Sequence, residues 1–256
     1  MVKIESLNLL KYCFVIAHRH VVGYESYLQF YIYHIEKYHP GSCIIVVDNN
    51  SASPLGNEDY IRDNKRVVFL TNLSNCKFEI GAYLTGIDFL VSRAMLPLFD
   101  VIFFTQDNFV LKNKINHKRL CRDQFVAATI CTFDFWDIDD VTKKMFHDLK
   151  LSFDRSKVHF GCWCSSFLIR ANLVEVLRSR LGRLTLSTRA QSQAGERALG
   201  QLLSQLSIEL ANKPLDALDG RTTDLPYNPF SIDLILDSVP TTFGKRLQQK
   251  TEVTVG

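Results

Sequence analysis

The sequence has no apolar run long enough to cross a membrane, and its first residues lack a signal-peptide pattern. We therefore expect a soluble, cytoplasmic protein without a membrane span. The excess of positive over negative charge is also small, since the 256 residues carry a formal net charge of only +3 and the basic residues are scattered. This distribution argues against a nucleic-acid partner, because such proteins concentrate basic side chains on one face.

Three common catalytic signatures are missing as well. No GxGxxG follows the first predicted strand, and neither GxxxxGK[ST] nor GxSxG occurs. These absences weigh against a dinucleotide-binding enzyme, a P-loop enzyme and a hydrolase with a nucleophile elbow.

The seven cysteines do not form a recognisable metal or redox motif. Cys162 and Cys164 are separated by one residue, unlike the two of a CxxC site. Their number is odd and most lie within apolar runs, which predicts reduced, buried thiols.

Alternating apolar segments predict an α/β sandwich with a mainly parallel central sheet. The predicted strands are 12–17, 43–47, 67–70, 101–104, 125–131 and 166–169, and the predicted helices are 27–38, 79–93, 141–149, 172–180 and a last helix striped with leucines between 199 and 210. After Lys213, breaks at Pro214, Gly220, Pro226, Pro229 and Pro240 exclude any long element, so we expect one domain over 1–212 and a peripheral extension over 213–256.

Polar clusters follow three of these strands. They are His18-Arg19-His20, Asp48-Asn49-Asn50-Ser51 and Thr105-Gln106-Asp107-Asn108. The carboxyl ends of parallel strands share one edge of a sheet, where α/β proteins bind ligands. Turn formation alone also favours these residue types, but three clusters on one predicted edge favour a functional cleft.

The order of these motifs resembles that of the GT-A glycosyltransferases, which use nucleotide sugars and have a Rossmann-like fold. The matching segments are Ala17-His18-Arg19, Val46 to Ser51, Phe78 to Leu84 and Ile102 to Asp107. The resemblance spans roughly residues 11–210. It implies a nucleotide-sugar donor, UDP- or GDP-linked, and a glycan acceptor.

The resemblance places the nucleoside at the first two strand ends. Ala17, His18 and Arg19 would meet the base or ribose, and Asp48 would accept hydrogen bonds from it, assisted by Asn50. An Asx-turn or a helix cap is the structural alternative for Asp48.

The acidic DxD motif of that family is reduced here to Thr105-Gln106-Asp107. Asp107 matches the last acidic residue, the usual metal ligand, and Gln106 would adjoin the donor. One carboxylate holds Mn²⁺ or Mg²⁺ only when phosphate oxygens and water complete the shell. The alternative is a metal-independent enzyme in which Arg or Lys neutralises the diphosphate.

Two further donor-site residues lie at the start of the strongest predicted helix. Lys77 and Glu79 would approach the donor sugar or the phosphates, as the resemblance implies. Alternatively, Glu79 only stabilises the helix N-terminus.

The acceptor side offers a general base and an aromatic residue. An inverting transferase needs a carboxylate to take the acceptor proton. Glu196 occupies the late, helix-opening position of some GT-A families, with Asp134 and Asp137 as the next candidates. Alternatively, Glu196 only stabilises the N-terminus of its helix. Trp163 would either stack on a sugar ring or belong to the core.

The sequence therefore predicts an inverting glycosyltransferase that moves a sugar from a nucleotide-diphosphate donor to a glycan or another hydroxyl acceptor. Two alternatives stay open. One is a nucleotidyltransferase that makes nucleotide sugars, although His18 to Gly23 is a poor version of its glycine-rich loop. The other is a non-catalytic glycan- or nucleotide-binding relative, which the incomplete DxD motif suggests.

Overall fold

The computed structural model describes residues 11–19, 28–49, 51, 64–107, 111, 114–115, 126–133, 139–152, 159–211 and 216–217. Within these ranges the strands are β1 (Tyr12–His18), β2 (Cys43–Asp48), β3 (Val67–Thr71), β4 (Val101–Gln106), β5 (Val126–Phe133), β6 (His159–Arg170) and β7 (Asp216–Ala217). The α-helices are α1 (Leu28–Tyr38), α2 (Phe78–Ser92), α3 (Asp140–Asp148), α4 (Val174–Leu181) and α5 (Arg189–Ala211).

All seven strands join one sheet in the order β3-β2-β1-β4-β6-β5-β7. Strands β3, β2, β1 and β4 pair in parallel, and β7 pairs in parallel with β5. Strand β6 runs antiparallel to both of its neighbours, β4 and β5. The predicted α/β sandwich with a mainly parallel central sheet is therefore confirmed.

Strand β1 lies at the centre of the parallel part and is buried along its whole length. A strand covered on both faces is expected to be apolar throughout. Val15 and Ala17 belong to the core in which α2 packs. Phe14 points to the opposite face, where its ring stacks on Phe103 with centroids 5.5 Å apart. Helix α1 covers this second face, because the Tyr31 hydroxyl reaches Thr105 of β4.

Helix α2 approaches the sheet closely at two glycines. A Cβ atom at Gly86 would lie 2.5 Å from Cγ1 of Val15, and one at Gly81 would lie 1.8 Å from the backbone oxygen of Cys76. Both distances are far below van der Waals contact. The glycines thus let α2 sit against β1 and against the loop that precedes the helix.

Two elements differ from the sequence prediction. Strand β6 spans His159–Arg170 instead of 166–169. Its pairing with β5 contains a register shift, and Ser165 within it has a left-handed backbone conformation with a φ of 50°. Helix α5 begins at Arg189 because Thr188 and Gln191 form a capping box, in which the backbone N–H of Gln191 donates to Oγ1 of Thr188 at 3.3 Å. In return, the backbone N–H of Thr188 donates to Oε1 of Gln191 at 3.1 Å.

The start of the predicted extension contributes to the sheet, because β7 adds to the outer side of β5. The other residues of 213–256 lie outside the described residues. Among the cysteines whose side chains the structure describes, Cys13, Cys76 and Cys162 are buried free thiols and Cys43 is a half-buried one. In the described part of the chain, no helix has both the length and the apolar character to cross a bilayer.

Candidate functional site

Three neighbouring parallel strands place polar residues at one edge of the sheet. The register pairs His18 at the end of β1 with Asp48 at the end of β2, and it pairs Ala17 with Gln106 at the end of β4. Asp107 follows β4 directly, and its backbone N–H donates to the carbonyl of Ala17 at 3.2 Å. The predicted meeting of the three strand ends is therefore confirmed.

His18 and Asp107 form a buried pair at the centre of this edge. Nδ1 of His18 lies 2.7 Å from Oδ2 of Asp107. The two residues are 2% and 6% exposed. Nε2 of His18 is buried and has no hydrogen-bond partner in the described part of the chain. The pair therefore fixes the orientation of the imidazole ring.

A buried chain of hydroxyl groups runs through Thr105, which lies in β4 two residues before Asp107. The Tyr31 hydroxyl donates to Oγ1 of Thr105 at 3.1 Å, and Thr105 is 3.4 Å from Oγ of Ser166. Burial raises the pKa of Tyr31, the Thr105 contact opposes this shift, and the charge of Asp107 adds to it. Tyr31 therefore stays protonated as a donor. Thr105 is fully buried, so its hydroxyl group is not exposed at the strand ends.

Asp48 is half-buried at the end of β2 and has a local partner. The Ser51 hydroxyl donates to Oδ1 of Asp48, and the Asp48 carbonyl accepts from the backbone N–H of Asn72 at 2.9 Å. The first contact orients the carboxylate, and the second fixes the strand end. Asn50, predicted to assist Asp48, lies outside the described residues.

The Asn72 side chain connects several segments through hydrogen bonds, a role that the sequence analysis missed. Its Nδ2 donates to Oδ1 of Asn49 at 3.0 Å and to the carbonyl of Cys76 at 2.9 Å. Its Oδ1 accepts from the backbone N–H of Ser74 at 3.0 Å and from the Thr85 hydroxyl at 3.1 Å. The Asn-x-Ser spacing after a strand, which favours an Asx-turn, is the signal that could have identified it.

The predicted donor-site residues Lys77 and Glu79 lie at the start of α2. The Lys77 side chain is exposed, and its backbone N–H donates to the Leu186 carbonyl at 2.7 Å. Oε2 of Glu79 accepts from the Ser192 hydroxyl at 3.1 Å. Because α2 follows β3, its N-terminus lies on the same side of the sheet as the carboxyl ends of the parallel strands.

The expectation that Glu196 opens a helix is wrong. Helix α5 begins at Arg189, so Glu196 lies about two turns inside it, beyond the capping box. Glu196 is half-buried and follows Ser192 at the i+4 position, which puts the two residues on one face of the helix. A first-turn dipole role therefore does not account for Glu196, and its catalytic role stays a prediction.

Of the other acceptor-side candidates, only Trp163 lies within the described residues. Asp134 and Asp137 lie outside the described residues. Asp139, from the same acidic segment, caps α3 by accepting from the backbone N–H of Thr142 at 2.7 Å. Burial acts to raise the pKa of Asp139, but the hydrogen bonds from Thr142 and the nearby positive charges outweigh it and lower the pKa. Trp163 lies in β6, and both interpretations of its side chain stay predictions.

The described residues do not by themselves fit a divalent cation. Among them, no group of three His, Cys, Asp or Glu side chains is placed to hold a metal ion. Asp107, the predicted ligand, already binds His18 through Oδ2. Whether a cation binds together with a nucleotide stays a prediction.

No protein-family model and no curated protein matches this sequence. Among solved structures, the glycosyltransferase GlyE of Streptococcus pneumoniae TIGR4 is similar, with 11% identity and a TM-score of 0.47 over 84% of this chain and 47% of that one. This chain thus spans about half the length of the GlyE structure (47%).

A second similar structure is the 4-diphosphocytidyl-2C-methyl-D-erythritol synthase of Anaerococcus prevotii DSM 20548. It has 13% identity and a TM-score of 0.43, over 73% of this chain and 82% of that one. Similarity at these levels does not assign an activity to the chain.

Proposed function

We propose that the protein is a nucleotide-sugar-dependent glycosyltransferase that transfers a sugar to a hydroxyl group of a glycan or a related acceptor. One observation carries the proposal: Asp48, His18 and Asp107 lie side by side at the carboxyl ends of β2, β1 and β4. In open α/β sheets ligands bind outside these ends. The arrangement agrees with the motif order that resembles the GT-A family.

The edge has the chemistry to hold a nucleotide. The carboxylate of Asp48 is suited to accept hydrogen bonds from a base or from ribose hydroxyls. Arg19 is exposed immediately after β1, and Lys77 is exposed before α2. Among the described residues, we assign to these two cations the role of neutralising the negative charge of the donor diphosphate.

The transfer step needs a proton acceptor on the opposite side of the sugar. We assign this role to Glu196, which would take the proton of the acceptor hydroxyl while the new bond forms at the anomeric carbon and the bond to the diphosphate breaks. Glu79, held by Ser192, would contact the donor sugar. Inversion at the anomeric carbon follows from a single displacement of this kind.

A thermal-shift screen tests donor binding first. The purified chain would be heated with UDP- and GDP-linked sugars, each with Mn²⁺ and with EDTA. A ligand present at about one hundred times its dissociation constant stabilises a protein by about 2.7 kcal/mol. We expect one nucleotide class to raise the melting temperature, and a flat screen would contradict the proposal.

Product analysis separates the proposed activity from its alternatives. We expect slow hydrolysis of the bound nucleotide sugar, with release of the nucleoside diphosphate, when no acceptor is present. A nucleotidyltransferase would instead consume a nucleoside triphosphate and a sugar phosphate and release pyrophosphate. A nucleotide-binding protein without catalytic activity would release neither product.

A further inference from the structure

The two nitrogens of His18 have different surroundings. Nδ1 is 2.7 Å from the carboxylate of Asp107, whereas Nε2 is buried with no partner in the described part of the chain. A buried polar atom without a hydrogen bond destabilises a fold. Such an atom at the ligand-binding edge of an α/β sheet points to a group that is completed by a ligand.

Asp107 determines how the ring presents this atom. An ionised carboxylate only accepts hydrogen bonds, so the contact requires the proton on Nδ1 of His18. Nε2 then offers either a lone pair or a second N–H, and in both forms it is directed away from Asp107. The ring cannot turn over without losing the Asp107 contact, which keeps Nε2 in a defined position.

This arrangement conflicts with a metal-ligand role for Asp107. A carboxylate at the last DxD position directs an oxygen at the cation, but Oδ2 is bound to an imidazole and Asp107 is 6% exposed, which leaves at most Oδ1 for this role. The position that would hold a cation therefore holds a His–Asp pair. The exposed Arg19, next to His18 in the chain, supplies a positive charge at the same strand end.

We propose that His18, oriented by Asp107, binds the nucleoside diphosphate through Nε2, and that this binding does not require a divalent cation. The inference rests on the proposed function, because it concerns the same donor site. His18 is then a binding residue and Asp107 is a positioning residue. The groups that cover the ring must move when the nucleotide binds, since Nε2 is buried.

Calorimetry with UDP and GDP tests the inference on the full chain. We expect the affinity for the preferred nucleotide to differ by less than about twofold between EDTA and Mn²⁺. His18→Asn keeps an amide near Nδ1 but removes the atom at Nε2, and it should weaken binding about tenfold or more. His18→Gln places an amide near Nε2 and should recover part of that loss.

Two further variants separate positioning from metal binding. Asp107→Asn should weaken nucleotide binding by the same factor in EDTA and in Mn²⁺, because Asp107 acts through His18. His147→Asn is the matched control, since the His147 side chain is 91% exposed on α3. Its nucleotide affinity should equal that of the unchanged protein.

Nitrogen-15 NMR of the unchanged protein gives a test that does not depend on the folding of any variant. Adding the nucleotide in EDTA should shift the Nε2 resonance of His18 and leave that of His147 unchanged. Nucleotide binding that needs Mn²⁺, or an unshifted Nε2 resonance in the saturated complex, would overturn the inference and leave the proposed function standing. Absence of any binding by UDP and GDP would overturn both.

Discussion

Ser192 donates a hydrogen bond from its hydroxyl to Oε2 of Glu79 at 3.1 Å and so ties the start of α5 to the start of α2. The two residues are 113 positions apart in the sequence. The bond joins the helix that carries the proposed base to the helix that begins beside the proposed donor site. It gives Glu79 a structural partner in addition to its predicted contact with the donor sugar.

Replacing Ser192 by alanine should destabilise the protein, because Glu79 loses a half-buried hydrogen bond. We expect the free energy of unfolding to fall by about 0.5–1.5 kcal/mol in urea denaturation. Ser179→Ala is the control, since the Ser179 hydroxyl bonds only locally to the Val176 carbonyl on the exposed side of α4. Equal stability changes in the two variants would argue against a specific contribution of the Ser192–Glu79 hydrogen bond.

Asp48→Ala should weaken nucleotide binding while the fold persists. The loss of a charged hydrogen-bond acceptor costs about 1.5–3 kcal/mol, which calorimetry would record as an affinity about 10- to 100-fold lower. Ser51→Ala removes the hydroxyl that donates to Asp48 but keeps the carboxylate, so it should lower the affinity less than Asp48→Ala does. If Asp48 served merely to stabilise the turn, both variants would lower the melting temperature and neither would change the affinity.

Glu196→Gln should abolish transfer but preserve donor binding. The amide keeps the size of the side chain and cannot take a proton, so the rate should fall about 10²–10⁴-fold. Single-turnover kinetics with saturating donor would measure this step. Glu175→Gln, at an exposed position in the first turn of α4, should have normal activity. Retained activity in Glu196→Gln would move the base to Asp134 or Asp137.

Gly86→Ala should destabilise the packing of α2 on the sheet. The added methyl group would lie 2.5 Å from Cγ1 of Val15. Overpacking of this kind costs about 1–3 kcal/mol, to be measured by chemical denaturation. In a Val15→Ala background the same change should cost less, because the clashing methyl group is gone. Additive effects of the two substitutions would exclude the contact as the cause.

The chain segment after β4 should become less stable in acid. Nδ1 of His34 donates to the Leu111 carbonyl at 3.0 Å, and Nε2 of His39 accepts from the backbone N–H of Ile115 at 2.9 Å. Burial lowers the pKa of His34 below its usual 6.5, and the nearby Lys37 acts in the same direction against the Leu111 contact.

Below about pH 6.5 the unfolded chain therefore binds more protons at His34 than the folded protein does. The free energy of unfolding should fall as the pH drops from this value through the lower pKa of the folded state. Urea denaturation between pH 7 and pH 5 would measure the slope. His34→Gln removes this titration, so its slope should be smaller, and an unchanged slope would exclude His34 as the source.

The sequence alone determined the architecture to a large extent. Continuous apolar runs such as 12–17 and 101–104 identified central strands, because strands covered on both faces need apolar residues at every position. The leucine stripe identified α5 but not its start. The capping box at Thr188 and Gln191 uses two polar residues that hydrophobic periodicity does not detect.

The sequence also located the polar ends of β1, β2 and β4, because parallel strands bring their carboxyl ends to one edge. Only the tertiary structure decided what each residue contacts there. His18 and Asp107 are 89 residues apart, and they meet because the register of β1 against β4 aligns the two strand ends on one face. Side-chain pairing across a sheet depends on register, which local sequence patterns do not contain.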